Sequence, residues 1–181
     1  MRILSFLLVL IFALILFNCS CKKDPVQQPE IVTVNGQSFG CRIDNVPFIA
    51  DHWDYGNNIP PVDIAFSRTT FGGVTLIVTA RKQNEFVQFF LNKPLIKGFI
   101  QLNENTQPFP VYSPPKNNGI YKVKNLSPNG EYITSATSTG FVNLIEIDTI
   151  NLKVNATFEF TGTDKLNGKQ VKITNGIFKN F

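Results

Sequence analysis

The sequence has few of the residues on which enzymes and metal sites usually depend. It contains one histidine, His52, together with one tryptophan, one methionine and three cysteines among 181 residues. Zinc sites use several closely spaced Cys and His ligands, and every His-dependent triad would have to use His52. No Gly-x-Ser-x-Gly motif, glycine-rich phosphate loop or EF-hand calcium loop occurs. We therefore expect no catalytic residues, no metal and no cofactor.

An excess of charge of one sign is also lacking. The chain has 17 Lys and Arg residues against 13 Asp and Glu residues, a net charge of +4, and the basic residues are scattered. Nucleic-acid binding proteins usually present a basic stripe or patch, so we expect no nucleic-acid partner. Hydrophobic residues make up 43% of the chain, which is enough for a core without a disulfide scaffold.

The longest apolar run lies at the N-terminus. Residues 3–17 contain one polar side chain, Ser5, and follow the positively charged Arg2. A membrane-spanning helix needs about 20 apolar residues, and a shorter run behind an N-terminal cation is typical of a signal peptide. We predict a signal peptide over residues 1–18, with an uncleaved anchor as the alternative.

The residues after this run resemble a lipobox, the motif that lipoprotein signal peptidase recognises. Leu16 lies three residues before Cys19, as the motif requires, although Asn18 is larger than the usual small residue. Cys21 follows the small Ser20 but lacks the leucine. The resemblance implies a lipoprotein whose mature N-terminus is a palmitate-bearing Cys19, with Cys21 as the alternative. Several acyl chains anchor a protein stably, since each buried CH₂ contributes about 0.8 kcal/mol.

Residues 19–30 are polar and contain proline and glutamine, a composition that predicts a flexible tether. The tether carries Lys22 and Lys23, where many surface-exported lipoproteins of Bacteroidetes carry acidic residues. This favours the periplasmic face of the outer membrane.

Residues 31–181 show the two-residue period of β-strands. The clearest alternation of apolar and polar side chains covers 152–161, and the turn dipeptide at 167–168 predicts a hairpin with 169–179. Similar segments lie at 39–43, 62–67, 74–80, 86–91, 96–102, 119–124, 131–137 and 140–148. No long helical period occurs. We predict a single all-β domain, either an antiparallel β-sandwich or a partly open β-barrel.

The densest group of polar and aromatic residues is predicted to form a loop. It consists of Asp51, His52, Trp53, Asp54 and Tyr55. An aromatic side chain beside carboxylates is typical of loops that bind a ligand, and loops on a rigid scaffold often carry function. The alternative is a strand end and turn in which Trp53 covers the edge of the core. A second candidate loop covers residues 105–118.

Cys41 lies in a predicted strand and leaves two possibilities open. If Cys19 is lipidated, Cys21 and Cys41 could form a disulfide in an oxidising compartment. The alternative, which we favour, is a buried structural thiol.

Two stretches of the chain resemble a known family. FGCRIDNVPF at 39–48 is similar to its opening, while ATFEFT at 156–161 and VKITNGIF at 171–178 are similar to its close. The family consists of Bacteroidetes lipoproteins and is catalogued as a domain of unknown function. The resemblance implies a protein of the cell envelope and supplies no catalytic residues.

Together these patterns predict a membrane-tethered envelope lipoprotein that acts as a non-enzymatic binding or interaction module. A glycan and an envelope protein are its candidate partners. Two alternatives stay open. One is a periplasmic glycan hydrolase that uses paired carboxylates from among Asp51, Asp54, Glu104 and Glu146. The other is a structural protein of envelope assembly.

Overall fold

The computed structural model describes residues 28–53, 58–68, 74–92, 94–104, 116–124 and 130–180. Within these ranges all regular secondary structure is β, in twelve strands, so the predicted all-β class is confirmed. The predicted signal peptide and most of the predicted tether lie outside the described residues, as do Asp54 and Tyr55.

The strands are β1 (Val32–Val34), β2 (Gln37–Ile43), β3 (Val46–Phe48), β4 (Val62–Arg68), β5 (Val74–Lys82), β6 (Glu85–Leu91), β7 (Gly98–Leu102), β8 (Asn118–Val123), β9 (Glu131–Ile133), β10 (Gly140–Asp148), β11 (Lys153–Asp164) and β12 (Gln170–Asn180).

All strands belong to one antiparallel sheet that is nearly closed into a barrel. Its order is β1-β2-β12-β11-β9-β8-β6-β5-β4, and β3 pairs with β2. β4 lies beside β2, where the amide side chain of Gln37 bonds the backbone of Ile64. Of the two predicted architectures, the barrel is therefore the one observed.

The sheet forks at β11, the longest strand. Its first part pairs with β10, over Lys153 to Phe160, and its last two residues pair with β9. β10 in turn pairs with β7. The β7–β10 pair is therefore a branch that lies off the path around the barrel.

The hairpin predicted near the C-terminus is confirmed as β11 and β12. β11 continues to Asp164, three residues further than predicted, because the buried carboxylate of Asp164 organises the turn. It accepts hydrogen bonds from the backbone N–H of Leu166 at 2.8 Å and of Gly130 at 2.9 Å. Gly168 then turns the chain with a φ of 71°, a conformation that favours glycine.

Two short strands were not predicted, β1 and β3, each of three residues. Both belong to hairpins with β2 whose two-residue turns have positive φ. The φ values are 51° and 76° at Asn35 and Gly36, and 46° and 68° at Asp44 and Asn45. Such turns match the twist of the adjoining strands. The Asn-Gly dipeptide at 35–36 is a signal that could have revealed β1.

Phenylalanine fills the barrel interior. The rings of Phe89 and Phe158 lie 4.4 Å apart between centroids, edge to face, and Phe39 and Phe178 pack against Phe158. These four side chains are fully buried. Cys41 lies in the same core as a free thiol, and burial raises its pKa.

Candidate functional site

The residue cluster predicted to bind a ligand is described only in part. Asp51 is exposed, while His52 and Trp53 are half-buried between β3 and β4. The backbone N–H of His52 donates to the carbonyl oxygen of Arg81 at 3.2 Å, which fixes this segment against β5. Asp54 and Tyr55 lie outside the described residues, so the ligand-binding role of the cluster stays a prediction.

The cavity beside His52 is small, about 140 Å³, and is lined in part by Thr79, Arg81, Glu85 and Lys124. Pockets that enclose small-molecule ligands usually measure about 300–1,000 Å³. Within the described part of the chain, no group of three or more His, Cys, Asp or Glu side chains could hold a metal ion.

The carboxylates named for a hydrolase lie on separate elements. Glu104 follows β7 and forms an exposed ion pair with Lys116, with Nζ and Oε2 3.2 Å apart. Glu146 is an exposed residue of β10, and Asp51 precedes His52. Asp54 is not described. The second candidate loop, 105–118, is described only from residue 116 onward.

A much larger concavity lies on the outer face of the sheet. It has a volume of about 720 Å³ and crosses β7, β10, β11 and β12. A second hollow of about 380 Å³ adjoins it and shares Phe141 and Glu159. We call the two together the aromatic groove. Its lining includes Phe99, Gln101, Phe141, Glu159, Thr161, Lys172 and Thr174, and its far end is bounded by Gln28, Pro29 and Ile31.

Two phenylalanine rings form one wall of the groove. Phe99 is 74% exposed, and its ring meets that of Phe141 edge to face, with centroids 5.3 Å apart. The strand register places them diagonally, because Phe99 lies opposite Asn143, two residues along β10 from Phe141. Phe141 is half-buried. Single exposed apolar residues are common on protein surfaces, but two aromatic rings in contact beside a concavity indicate a binding surface.

Several polar side chains line the groove beside the two rings. The register places Phe141 between Gln101 on β7 and Glu159 on β11, while Thr161 lies opposite Lys172 on β12. Within the described residues, the side chains of Gln101, Thr161, Lys172 and Thr174 make no hydrogen bond or ion pair. Their donors and acceptors are therefore available to a bound molecule.

A β-bulge in β12 holds Glu159 in place. The register of β12 shifts against both neighbours at Asn175, which has a φ of 52°. The backbone N–H of Asn175 donates to Oε1 of Glu159 at 3.3 Å, and Oε2 has no hydrogen bond within the described residues. Bulges commonly re-aim side chains beside functional sites, and this one fixes a carboxylate at the junction of the two hollows.

The groove was not predicted from the sequence, because its members come from four strands and the strand register alone brings them together. One signal was available. Phe99 and Phe141 both occupy outward positions, where the alternation of their strands calls for polar residues.

The chain matches a known family over most of its length. Residues 65–181 match the model of a family described as a domain of unknown function (DUF6252). The match includes β5 to β12 and therefore the strands of the groove. It also includes the closing stretch at 156–178, while the opening stretch at 39–48 precedes it. No curated protein and no solved structure matches the chain.

In the ranges that the structure describes, no helix is long and apolar enough to cross a membrane.

Proposed function

The chain belongs to the family described as a domain of unknown function (DUF6252), and we propose that it is a lipid-anchored binding protein of the Bacteroidetes cell envelope. The domain binds its partner without chemical conversion, and the aromatic groove is the binding surface. One observation carries this proposal. The exposed ring of Phe99 and the half-buried ring of Phe141 stand beside polar side chains that have no partners within the described residues.

The proposed anchor is a palmitate-bearing Cys19, with Cys21 as the alternative, in the periplasmic leaflet of the outer membrane. The described chain begins at Gln28, at one end of the groove. The nine residues that follow Cys19 up to Gln28 extend over at most about 30 Å. The groove would therefore operate close to the membrane surface.

The composition of the groove favours binding over hydrolysis. Glycoside hydrolases use two carboxyl groups about 5–10 Å apart. Among the described residues that line the groove, Glu159 is the one carboxylate. We therefore place the glycan hydrolase second. Whether the protein binds or hydrolyses a glycan is tested by measuring the release of new reducing ends from a glycan by the purified protein. Glu159→Gln serves as the comparison.

The anchor is tested by feeding cells radiolabelled palmitate and by measuring the intact mass of the membrane form. We expect label in the wild type and in Cys21→Ser, and none in Cys19→Ser. Label lost from Cys21→Ser alone would move the site to Cys21. An unlabelled protein that keeps residues 1–18 would overturn the lipoprotein proposal.

The binding surface is tested by photo-crosslinking in intact cells. A photoreactive phenylalanine analogue replaces Phe141 in one strain and the exposed Leu166, on the β11–β12 turn outside the groove, in the other. We expect a defined adduct from position 141 and none from position 166. Equal labelling at both positions would contradict a binding role for the groove. One envelope protein captured equally from both would favour the structural assembly alternative.

A further inference from the structure

We propose that the aromatic groove binds a neutral glycan chain. This inference rests on the binding role proposed above and adds the chemical class of the ligand. Three features of the groove lead to it, namely its ring pair, its mixture of hydrogen-bonding groups and its charge.

The ring pair matches the apolar side of a sugar. A pyranose ring presents C–H groups on its faces and hydroxyl groups around its rim. The faces of Phe99 and Phe141 carry the negative part of the aromatic quadrupole, which attracts C–H groups weakly but additively. Because Phe99 is 74% exposed, a sugar ring can reach it without displacing other side chains.

The hydrogen-bonding groups match the hydroxyl rim. Each hydroxyl group both donates and accepts. The amide of Gln101 does the same, Oε2 of Glu159 accepts, and Nζ of Lys172 donates. None of these three groups has a partner within the described residues. A site for a pure anion would instead present donors alone.

The local charge of the groove does not favour a polyanion as its ligand. Glu159 and Lys172 are the charged residues among its described lining, and their charges cancel. A nucleic acid or an acidic polysaccharide would gain little long-range attraction from such a surface. An uncharged chain does not need that attraction.

The backbone of the groove floor disfavours an extended peptide. Extended peptides commonly bind by adding a strand to a free sheet edge. At the floor, β10 pairs with both β7 and β11, β11 with both β10 and β12, and β12 with both β11 and β2. A ligand on this floor meets side chains, which suits a glycan, and the one open strand edge at the groove among the described residues is that of β7 at its rim, which pairs with β10 alone.

The size of the groove favours an oligosaccharide over a single sugar. It crosses four strands, and neighbouring strands lie about 4.8 Å apart, which gives a length of roughly 14 Å. The adjoining hollow lengthens the surface beyond Phe141.

The test uses the full-length protein in detergent micelles and isothermal titration calorimetry. The neutral ligands are cellohexaose, xylohexaose, mannohexaose and maltohexaose, with polygalacturonate as the acidic comparison. We expect at least one neutral hexasaccharide to bind and polygalacturonate to bind more weakly. Phe99→Ala and Phe141→Ala should each raise Kd about tenfold, and Phe141→Trp should retain binding.

Two further variants separate binding from folding. Gln101→Ala removes an exposed side chain that has no partner among the described residues, so we expect an unchanged Tm and a several-fold higher Kd. Phe86→Ala removes a half-buried ring on the outer face of β6, which lines the small cavity beside His52 and not the groove. We expect this matched control to leave Kd unchanged.

Three outcomes would overturn the glycan inference. They are the absence of binding to all four neutral ligands, a preference for polygalacturonate, and glycan binding that survives both Phe99→Ala and Phe141→Ala. If Trp53→Ala abolished binding in the last case, the protein would still be a binding module and its site would be the 51–55 cluster. The palmitate and crosslinking experiments test separately whether the protein is lipid-anchored and whether it binds a partner at the groove.

Discussion

The side-chain amide of Gln37 on β2 pairs with the backbone of Ile64 on β4. The N–H of Ile64 donates to Oε1 of Gln37 at 2.8 Å, and Nε2 of Gln37 donates to the carbonyl oxygen of Ile64 at 3.4 Å. The amide thus takes the place of a peptide group in a strand ladder. It joins β2 to β4, the two strands between which, among the described residues, no backbone pairing closes the barrel.

Replacement of Gln37 by leucine should weaken this seam. The variant loses both hydrogen bonds and leaves the N–H of Ile64 without its partner. We therefore expect the free energy of unfolding to fall by about 1–2 kcal/mol. Hydrogen exchange gives a local measurement. The Ile64 amide should exchange faster, while the amide of Val78, opposite Ile64 in the β4–β5 ladder, keeps its protection. Unchanged exchange at Ile64 would show that the seam does not depend on the side chain.

Gly140 is expected to be intolerant of any side chain. A Cβ at this position would lie 2.2 Å from Cβ of Phe160 and 2.4 Å from the carbonyl oxygen of Glu159. Neither neighbour can move without disturbing β11, so Gly140→Ala should destabilise the fold by about 3 kcal/mol. At Gly119 a Cβ would meet the ring of Phe160 at 3.1 Å, and Gly119→Ala should cost about 1 kcal/mol. Urea unfolding of both variants checks that Gly140→Ala loses more stability than Gly119→Ala. Equal stabilities of the two variants would contradict this prediction.

Cys41 should be chemically inert in the folded protein. Its thiol is fully buried and free, and burial raises its pKa, so the reactive thiolate is scarce. We expect Ellman's reagent to detect the same number of thiols in the native wild type and in Cys41→Ser. In denaturant the wild type should show one thiol more. A difference that appears only after a reductant is added would instead indicate a disulfide with Cys21.

The buried carboxylate of Asp164 should make stability depend on pH in the acidic range. Hydrogen bonds from the backbone N–H groups of Gly130 and Leu166 hold its pKa below the ordinary value of 3.8. Because the pKa is lower in the folded state, the contribution of Asp164 is complete above pH 3.8 and is lost as pH falls through the folded-state pKa.

Urea unfolding from about pH 6 to about pH 2 measures this effect. We expect the stability gap between the wild type and Asp164→Asn to narrow as the pH falls. Asp148 is the matched control, because its pKa is also lowered, first by the backbone N–H of Asn151, but in an exposed turn. Asp148→Asn should have a smaller effect, since solvent screens exposed interactions. If the stability difference between the wild type and Asp164→Asn stayed constant with pH, the stability would not depend on the protonation of Asp164.

The sequence was informative wherever the signal was local. Alternation along 152–161 and the turn at 167–168 were enough to predict the hairpin of β11 and β12, and most other strands were located the same way. β1 and β3 were missed because three residues are too few to establish a period. Closure through Gln37 depends on a contact across the sheet, which no local pattern encodes.

The candidate site was less predictable for the same reason. Residues 51–55 are the site that local patterns predict, because polar and aromatic residues are neighbours in the chain there. The members of the groove are far apart in sequence, from Gln28 before β1 to Ile177 on β12. The registers of β7 on β10, β10 on β11 and β11 on β12, together with the bulge at Asn175, bring them together.

The fork at β11 gives the two sides of the groove different mechanical supports. Both phenylalanine rings belong to the β7–β10 branch, whereas Glu159 and Lys172 belong to the strands of the barrel itself. The ladder of β10 on β11 joins the two parts and places Phe141 opposite Glu159. The spacing between ring and carboxylate is therefore set by backbone pairing and not by a loop, so the branch and the barrel present one continuous cleft.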